Sequence, residues 1–323
     1  MVVAMATSRV TVGGTMPTAL VTGSSGFLGW HLSSRLVRDG YDVVGLDFHE
    51  PRNPLPDGMR DLRVDVRDRE AVRRAVSEVR PDALFHAAAQ ASVSISMREP
   101  VVDIETNVLG TVHLAQAAID AGVPRMVFVS TGGALLGEPE VVPVTEAMAK
   151  GAIPESVYGA SKLAAERYLA LVTAGTDLQL SVLRPGNIYG PAQDPHGEAG
   201  VVAIFTQRML RGEPVTIFGT GSQQRDYVYV RDVVEAAVLA STEPASTCLV
   251  ATGVGTSTQQ ICDALAQLTG YERPPVYADE RPGDIQRIYL DNSHAREVWG
   301  WQPQVSLEEG LAETVEWFRE RTS

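Results

Sequence analysis

The short apolar run Thr18 to Thr22 passes directly into Gly23-Ser24-Ser25-Gly26-Phe27-Leu28-Gly29, and a helical pattern through Leu32, Leu36 and Val37 follows. A strand, a glycine turn and a helix in that order are the opening of a dinucleotide-binding fold. Gly23 allows the tight turn, Gly26 lets backbone approach a pyrophosphate, and Gly29 permits close packing of helix on strand. The helix N-terminus offers donors to the phosphates. Ser25, Phe27 and Leu28, between these glycines, belong to the same cradle. The next buried strand, Asp42 to Leu46, ends at Asp47, 24 residues after Gly23, where an acidic side chain meets the adenosine ribose hydroxyls. A carboxylate there repels a 2′-phosphate, so NAD is favoured over NADP, although Arg52 stands near enough to temper the preference. After a strand at Leu62 to Val64, Asp65 can reach the adenine amine with Val66 beside it. It can equally cap the helix that begins near Asp68.

Strand and helix patterns alternate through the first 184 residues. Strands are expected at Thr18 to Thr22, Asp42 to Leu46, Leu62 to Asp65, Ala83 to His86, Met126 to Ser130 and Leu180 to Arg184, with helices near 26–38, 68–79, 101–121 and 155–173. That order requires an α/β fold with a doubly wound parallel sheet, whose ligands lie at the carboxyl ends of the strands. After Pro185, Gly- and Pro-rich loops with shorter elements mark a smaller, mixed C-terminal substrate lobe. The expected division is a loose tail over 1–16 and a cofactor domain over 17–184, joined by elements within about 226–256. The substrate domain then takes 185–225 and 257–323.

A chain of 323 residues, 44% hydrophobic, can bury one large core or two lobes. With 27 basic against 40 acidic residues and no clustered basic stretch, nucleic acid and anionic membranes are disfavoured as partners. No apolar run reaches the roughly 18 residues of a membrane span, and the first 16 lack the pattern of a signal peptide. Cys248 and Cys262 have no metal-ligand or redox-motif spacing and read as reduced residues of a cytoplasmic protein.

Tyr158 and Lys162 lie four apart in a segment whose apolar residues Leu163, Ala164, Tyr168 and Leu171 suggest a helix from Glu155 to Leu171. That spacing stacks phenol and ammonium on one face. A cation beside a phenol favours the phenolate and lowers a pKa otherwise about 10, making Tyr158 a base near neutral pH. Without the glycine turn upstream, the pair would read as a packed ring beside a solvated amine.

Together these stretches resemble the extended short-chain dehydrogenase/reductases, and within them the nucleotide-sugar 4-epimerases of the UDP-galactose type. Further matching stretches are His86-Ala87-Ala88-Ala89-Gln90, Asn107 with Gly110-Thr111, Arg184 to Pro191, Arg225 to Asp232, and Arg281 to Asp284. The resemblance implies that Ala87, Ala88, Ala89 and Gln90 line the cofactor with Asn107 and Ser130, and that Lys162 also bonds the nicotinamide ribose. It places Asn187, Arg225 and Arg281 near a sugar diphosphate, with Ser92, Gly132, Val201, Val202 and Asp284 on the same side. Surface ion pairs with Asp226 and Asp284 are the alternative for the two arginines. His86 reads as a packed strand-end residue, and His196 has no partner at metal-ligand spacing, so no metal is expected.

The implied chemistry removes the proton of the C4 hydroxyl through Tyr158 as hydride passes from C4 to NAD. A bound 4-keto sugar then turns over, and both return on its other face. Family members place a Ser or Thr after the fifth strand. Counting back from Gly137 puts Gly132 at that position, whereas counting forward puts Thr131 there, and Thr131 is preferred. Leu136 replaces the usual aromatic. Gly132 and Gly133 offer neither carboxylate of a 4,6-dehydratase nor the usual Glu of a UDP-glucuronate decarboxylase, and Asp47 speaks against an NADP-linked reductase. A non-catalytic NAD-binding regulator would be expected to lose Tyr158 or Lys162. UDP-glucose/UDP-galactose is the first expectation for substrate, because Asp194 to Ile204 resembles the loop of that epimerase group; UDP-glucuronate or an N-acetylated sugar is the alternative, because Ser92, Ser94, Ser96 and Arg98 depart from the family pattern beyond Gln90. Family likeness also suggests a homodimer through the helices of 101–121 and 155–173.

Overall fold

A computed structural model describes residues 16–196, 200–280 and 285–322. Residues 1–15 of the expected tail over 1–16, and Arg281 and Asp284 of the expected substrate site, lie outside them. The strands are β1 (Thr18–Thr22), β2 (Asp42–Asp47), β3 (Arg60–Arg63), β4 (Ala83–His86), β5 (Arg125–Val129), β6 (Gln179–Pro185), β7 (Asn187–Tyr189), β8 (Thr216–Phe218), β9 (Gln224–Tyr229), β10 (Thr247–Val250), β11 (Gly255–Ser257) and β12 (Val276–Ala278). The helices are α1 (Phe27–Arg38), α2 (Arg69–Val79), α3 (Val93–Arg98), α4 (Pro100–Ile104), α5 (Gly110–Asp120), α6 (Val157–Val172), α7 (Val201–Leu210), α8 (Val230–Thr242), α9 (Thr258–Thr269), α10 (Ser293–Trp299) and α11 (Leu307–Thr322).

Seven strands form one sheet in the order β10-β6-β5-β4-β1-β2-β3, every pair parallel. The expected doubly wound sheet is therefore present. Its central strands are buried apolar runs, as a parallel sheet covered on both faces requires. Leu32 and Leu36 of α1 pack with Val233, Ala236 and Ala240 of α8 on one face. Val72 and Ala75 of α2, Leu114 and Ala115 of α5, and Ala165 and Leu169 of α6 cover the other. The order turns back between β1 and β4, which opens a crevice at their carboxyl ends.

A smaller core holds Val202 and Phe205 of α7, Ile261 and Leu265 of α9, and Leu311 and Val315 of α11 against Tyr189 and Tyr227. Its three-stranded sheet is mixed, β11 antiparallel and β7 parallel to β9. β3 ends two residues earlier than the sequence pattern suggests, at Arg63, because pairing runs only from Val44 to Asp47 of β2. Between α4 and α5 the helix continues through one π turn, Glu105–Leu109, where the Gly110 amide donates to the Glu105 carbonyl. This five-residue bond widens the helix beside the crevice.

Candidate active site

The crevice begins at Gly23, whose φ is +70° and where a Cβ would stand 2.7 Å from the Ala88 nitrogen. Only glycine allows β1 and β4 to release their chains this closely. A Cβ on Gly29 would lie 2.0 Å from the Gly23 carbonyl oxygen, so α1 docks directly on the turn. Gly26 gives the α1 N-terminus no side-chain cap, a geometry suited to a phosphate. At the end of β2, the buried Asp47 accepts from the Ser25 amide at 3.0 Å and the His49 amide at 2.9 Å. The carboxylate is thus fixed at the rim with lone pairs remaining for hydroxyl donors. Arg52 pairs with Asp194, which commits its charge elsewhere. Of the two readings of Asp65, the helix cap is corrected: Asp68 caps α2 through the Ala71 amide. Asp65 instead grips Arg67, which holds its carboxyl below the ordinary range. Val66 is buried against Gly110 and α5.

Past β4 the backbone of Ala87 and Ala88 is tied to Thr22 of β1. His86 is buried between two hydroxyls, Thr22 Oγ1 at 2.7 Å from Nδ1 and Thr111 Oγ1 at 2.8 Å from Nε2. Thr111 donates to the Asn107 carbonyl, and Thr22 accepts from the Ala88 amide, so the network assigns the proton to Nε2. Burial, and then Lys162, push the imidazole down to about 3. It is a neutral strand-end residue, as the sequence suggested. Gln90 and Asn107 are bound reciprocally: the Gln90 amide donates to Asn107 Oδ1 and Asn107 Nδ2 to the Gln90 carbonyl, both at 2.9 Å. Asn107 Nδ2 also reaches Ser161 Oγ of α6 at 3.1 Å.

Tyr158 lies in the first turn of α6, which is capped by Ser156. Its backbone amide donates to Ser96 Oγ at 3.0 Å. Its phenol lies near the Thr131 side chain, which favours the ionised form. That contact favours Thr131 over Gly132 as the hydroxyl-bearing position. A Cβ on Gly132 would stand 2.4 Å from Leu290 Cδ1 and 2.9 Å from the Arg184 carbonyl oxygen, which leaves no room for a side chain. Lys162, one turn on and 2% exposed, holds its Nζ 4.1 Å from the Phe128 ring centroid. The expected lowering of the phenol is not what the protein frame produces. Burial pushes Tyr158 up to about 12 against the opposing influence of Thr131, with Asp103 adding repulsion, and pushes Lys162 down to about 7. Desolvation outweighs the benefit of placing the two residues one helical turn apart. The helix itself is as expected, but its buried stripe is Ala165 and Leu169, whereas Tyr168 and Leu171 face outward.

The sequence pattern of the NAD dependent epimerase/dehydratase family matches residues 19–248. This chain belongs to that family. A UDP-glucose 4-epimerase of Mycolicibacterium smegmatis is 45% identical over 94% of this chain and 99% of its own. The UDP-glucose 4-epimerase of Thermotoga maritima, solved with UDP-glucose, superposes with a TM-score of 0.92 at 44% identity, covering 95% of this chain and all of that one. The Thermus thermophilus UDP-glucose 4-epimerase complex with NAD gives a TM-score of 0.87 at 43% identity over 94% of this chain and 99% of that one.

As a member of the NAD dependent epimerase/dehydratase family, the chain carries the remaining expected residues in mixed surroundings. Asn187 starts β7 and is exposed, its Oδ1 3.6 Å from where a Gly133 Cβ would be. Arg225 Nη1 donates to the Ile285 carbonyl. Asp226, its sequence neighbour, is buried and accepts from Thr252, Gly253 and Leu290, so a surface ion pair with Arg225 does not form. Ser92 caps α3 through the Ile95 amide. Val202 packs in the smaller core, with Val201 partly buried against it. Ser130 is buried behind Thr131. Leu136 packs against the Val144, Leu249 and Leu290 cluster. Among the described residues no group of three or more His, Cys, Asp or Glu side chains is arranged to hold a metal ion, and no helix is long and apolar enough to cross a membrane. No sequence motif singles out Ser161, the Glu166–Arg184 pair or Asp103. Ser96 stands out in the sequence only as a departure from the family pattern, and its bond to the Tyr158 backbone comes from the fold.

Proposed function

We propose that the chain is an NAD-dependent UDP-sugar 4-epimerase that inverts C4 of UDP-glucose and UDP-galactose. The observation that carries the reading is the buried Tyr158 phenol near the Thr131 side chain, which favours its ionised form, with Lys162 one turn away, beside a loop whose Gly132 and Gly133 bring no carboxylate. The relatives that act on UDP-glucose support it. The left-handed Gly23, the uncapped α1 terminus and the buried Asp47 suit NAD, with Ala87 to Gln90 along its edge. When bound, NAD supplies a reversible hydride acceptor and, oxidised, a positive charge that favours the phenolate. Tyr158 accepts the proton of the C4 hydroxyl and later returns one to the C4 oxygen from the opposite face of a 4-keto sugar. Thr131 orients the phenol, and Lys162 holds the ammonium that supports it. With no second acid or base at Gly132 and Gly133, elimination across C5 and C6 has no catalyst. Asn187 and Arg225 anchor the diphosphate while the sugar turns.

In this scheme the cofactor takes the seven-stranded sheet and the nucleotide sugar takes the smaller core. The protein acts as a cytoplasmic homodimer, consistent with its two buried free cysteines and with Val101, Ile104, Tyr168 and Leu171 exposed on α4 and α6. The test is to incubate purified protein with UDP-glucose, UDP-glucuronate and UDP-N-acetylglucosamine and to follow the anomeric signals by proton NMR. C4 inversion of UDP-glucose without added NAD supports the reading. Released carbon dioxide or an accumulating 4-keto sugar overturns it.

A further inference from the structure

Asp103, in α4, is fully buried beside the Tyr158 and Lys162 pair. Its Oδ2 accepts from Gln90 Nε2 at 3.0 Å and from Asn107 Nδ2 at 3.1 Å, both neutral donors. Its Oδ1 is buried with no hydrogen-bond partner. A carboxylate so placed is costly unless a cation stands near. The titratable groups facing Lys162 are Glu166 one turn on, Asp103 from α4, neutral His86 at the end of β4, and Tyr158 one turn back. Glu166 is gripped by Arg184, whose Nε lies 3.0 Å and Nη2 2.5 Å from its oxygens. Asp103 is therefore the anion in this group without a cation of its own.

We infer that Asp103 is a positioning residue for the reaction: its charge keeps Lys162 an ammonium, while its amide contacts hold Gln90 and Asn107 against α6. The inference rests on the epimerase reading. A negative charge here favours the ammonium and disfavours the phenolate, so it raises both titrations, as the pull of Asp103 on each residue indicates. In a bell-shaped profile the acid limb reports loss of the phenolic proton and the alkaline limb loss of the ammonium proton, each as a value of the coupled pair. Removing the charge moves both limbs to lower pH.

The experiment compares kcat and KM against pH for the purified holoenzyme, Asp103→Asn and Gln90→Met. Asparagine keeps an oxygen for both amides and removes only the charge. Asp103→Asn shifts both limbs toward acid by about one pH unit, so that kcat on the alkaline side falls about tenfold with little change in KM. Gln90→Met removes an amide contact, keeps the charge and leaves the limbs in place. Unmoved limbs in Asp103→Asn, or equal movement in Gln90→Met, overturn the inference. If Asp103→Asn does not fold, Asp103→Ser is held to the same outcome. If the wild type epimerises no UDP-sugar, the epimerase reading has failed separately. Asp103 is then judged by the tyrosinate absorbance titration, wild type minus Tyr158→Phe, which loss of the charge must still move toward acid.

Discussion

At the residue scale, Tyr158 sits where only bound partners complete its chemistry. Tyr158→Phe removes the proposed proton acceptor but not the glycine turn, so epimerisation should fall by about 10²- to 10⁴-fold while NAD still copurifies, measurable by coupled assay and by absorbance of the released cofactor. Gly132 makes the opposite point, because there the need is for empty space. Gly132→Ser pushes a Cβ against Leu290 and the Arg184 carbonyl, and denaturant melts should show a loss of about 1–3 kcal/mol. His86 contributes a pH dependence of known sign. Its folded pKa, about 3, lies below its ordinary 6.5. Between these values the unfolded chain binds a proton that the native chain refuses, so stability falls as pH falls through that window. His86→Asn flattens this part of a plot of denaturation midpoint against pH. The placement of Tyr158, Lys162 and Thr131 together was legible because its signal is local: a spacing of four, and a hydroxyl just past a strand. Asp103 was not. A single acid in an otherwise apolar helix reads as a solvated face, and its burial depends on what α6 and Gln90 place around it.

At the scale of elements, the first two strands and β4 were readable almost to their ends, since apolar runs bounded by glycine or by charge mark both limits. β3 was displaced because its sequence, Arg60-Asp61-Leu62-Arg63, carries little pattern and main-chain pairing with β2 alone defines it. The π turn was invisible for a similar reason. Its longer hydrogen bond leaves the apolar spacing of the surrounding helix intact while turning Asn107 toward Gln90 and Ser161. α6 and β6 are joined by the buried Glu166–Arg184 pair. Glu166→Gln strands a buried guanidinium, and thermal and denaturant unfolding should report a loss of about 3–5 kcal/mol. The double variant Glu166→Gln with Arg184→Met should recover part of it.

For the whole molecule, the doubly wound sheet followed from element order alone, whereas the assignment of short strands to the smaller lobe needed the fold itself. Association belongs to this scale. Leu171, 78% exposed on α6, Tyr168 on the same helix and Val101 on α4 are outward apolar side chains far from the glycine turn in sequence. For the proposed homodimer, Leu171→Glu should give a monomer where the wild type sediments as a dimer in analytical ultracentrifugation at micromolar concentration. The seventh strand of the large sheet has a further consequence for how the protein is made. β10 closes the edge beside β6, yet it is translated only after β7, β8, β9 and α8. Until the ribosome has released residue 250, β6 is an open, pairing-competent edge, and the nascent chain must keep that edge from neighbouring polypeptides.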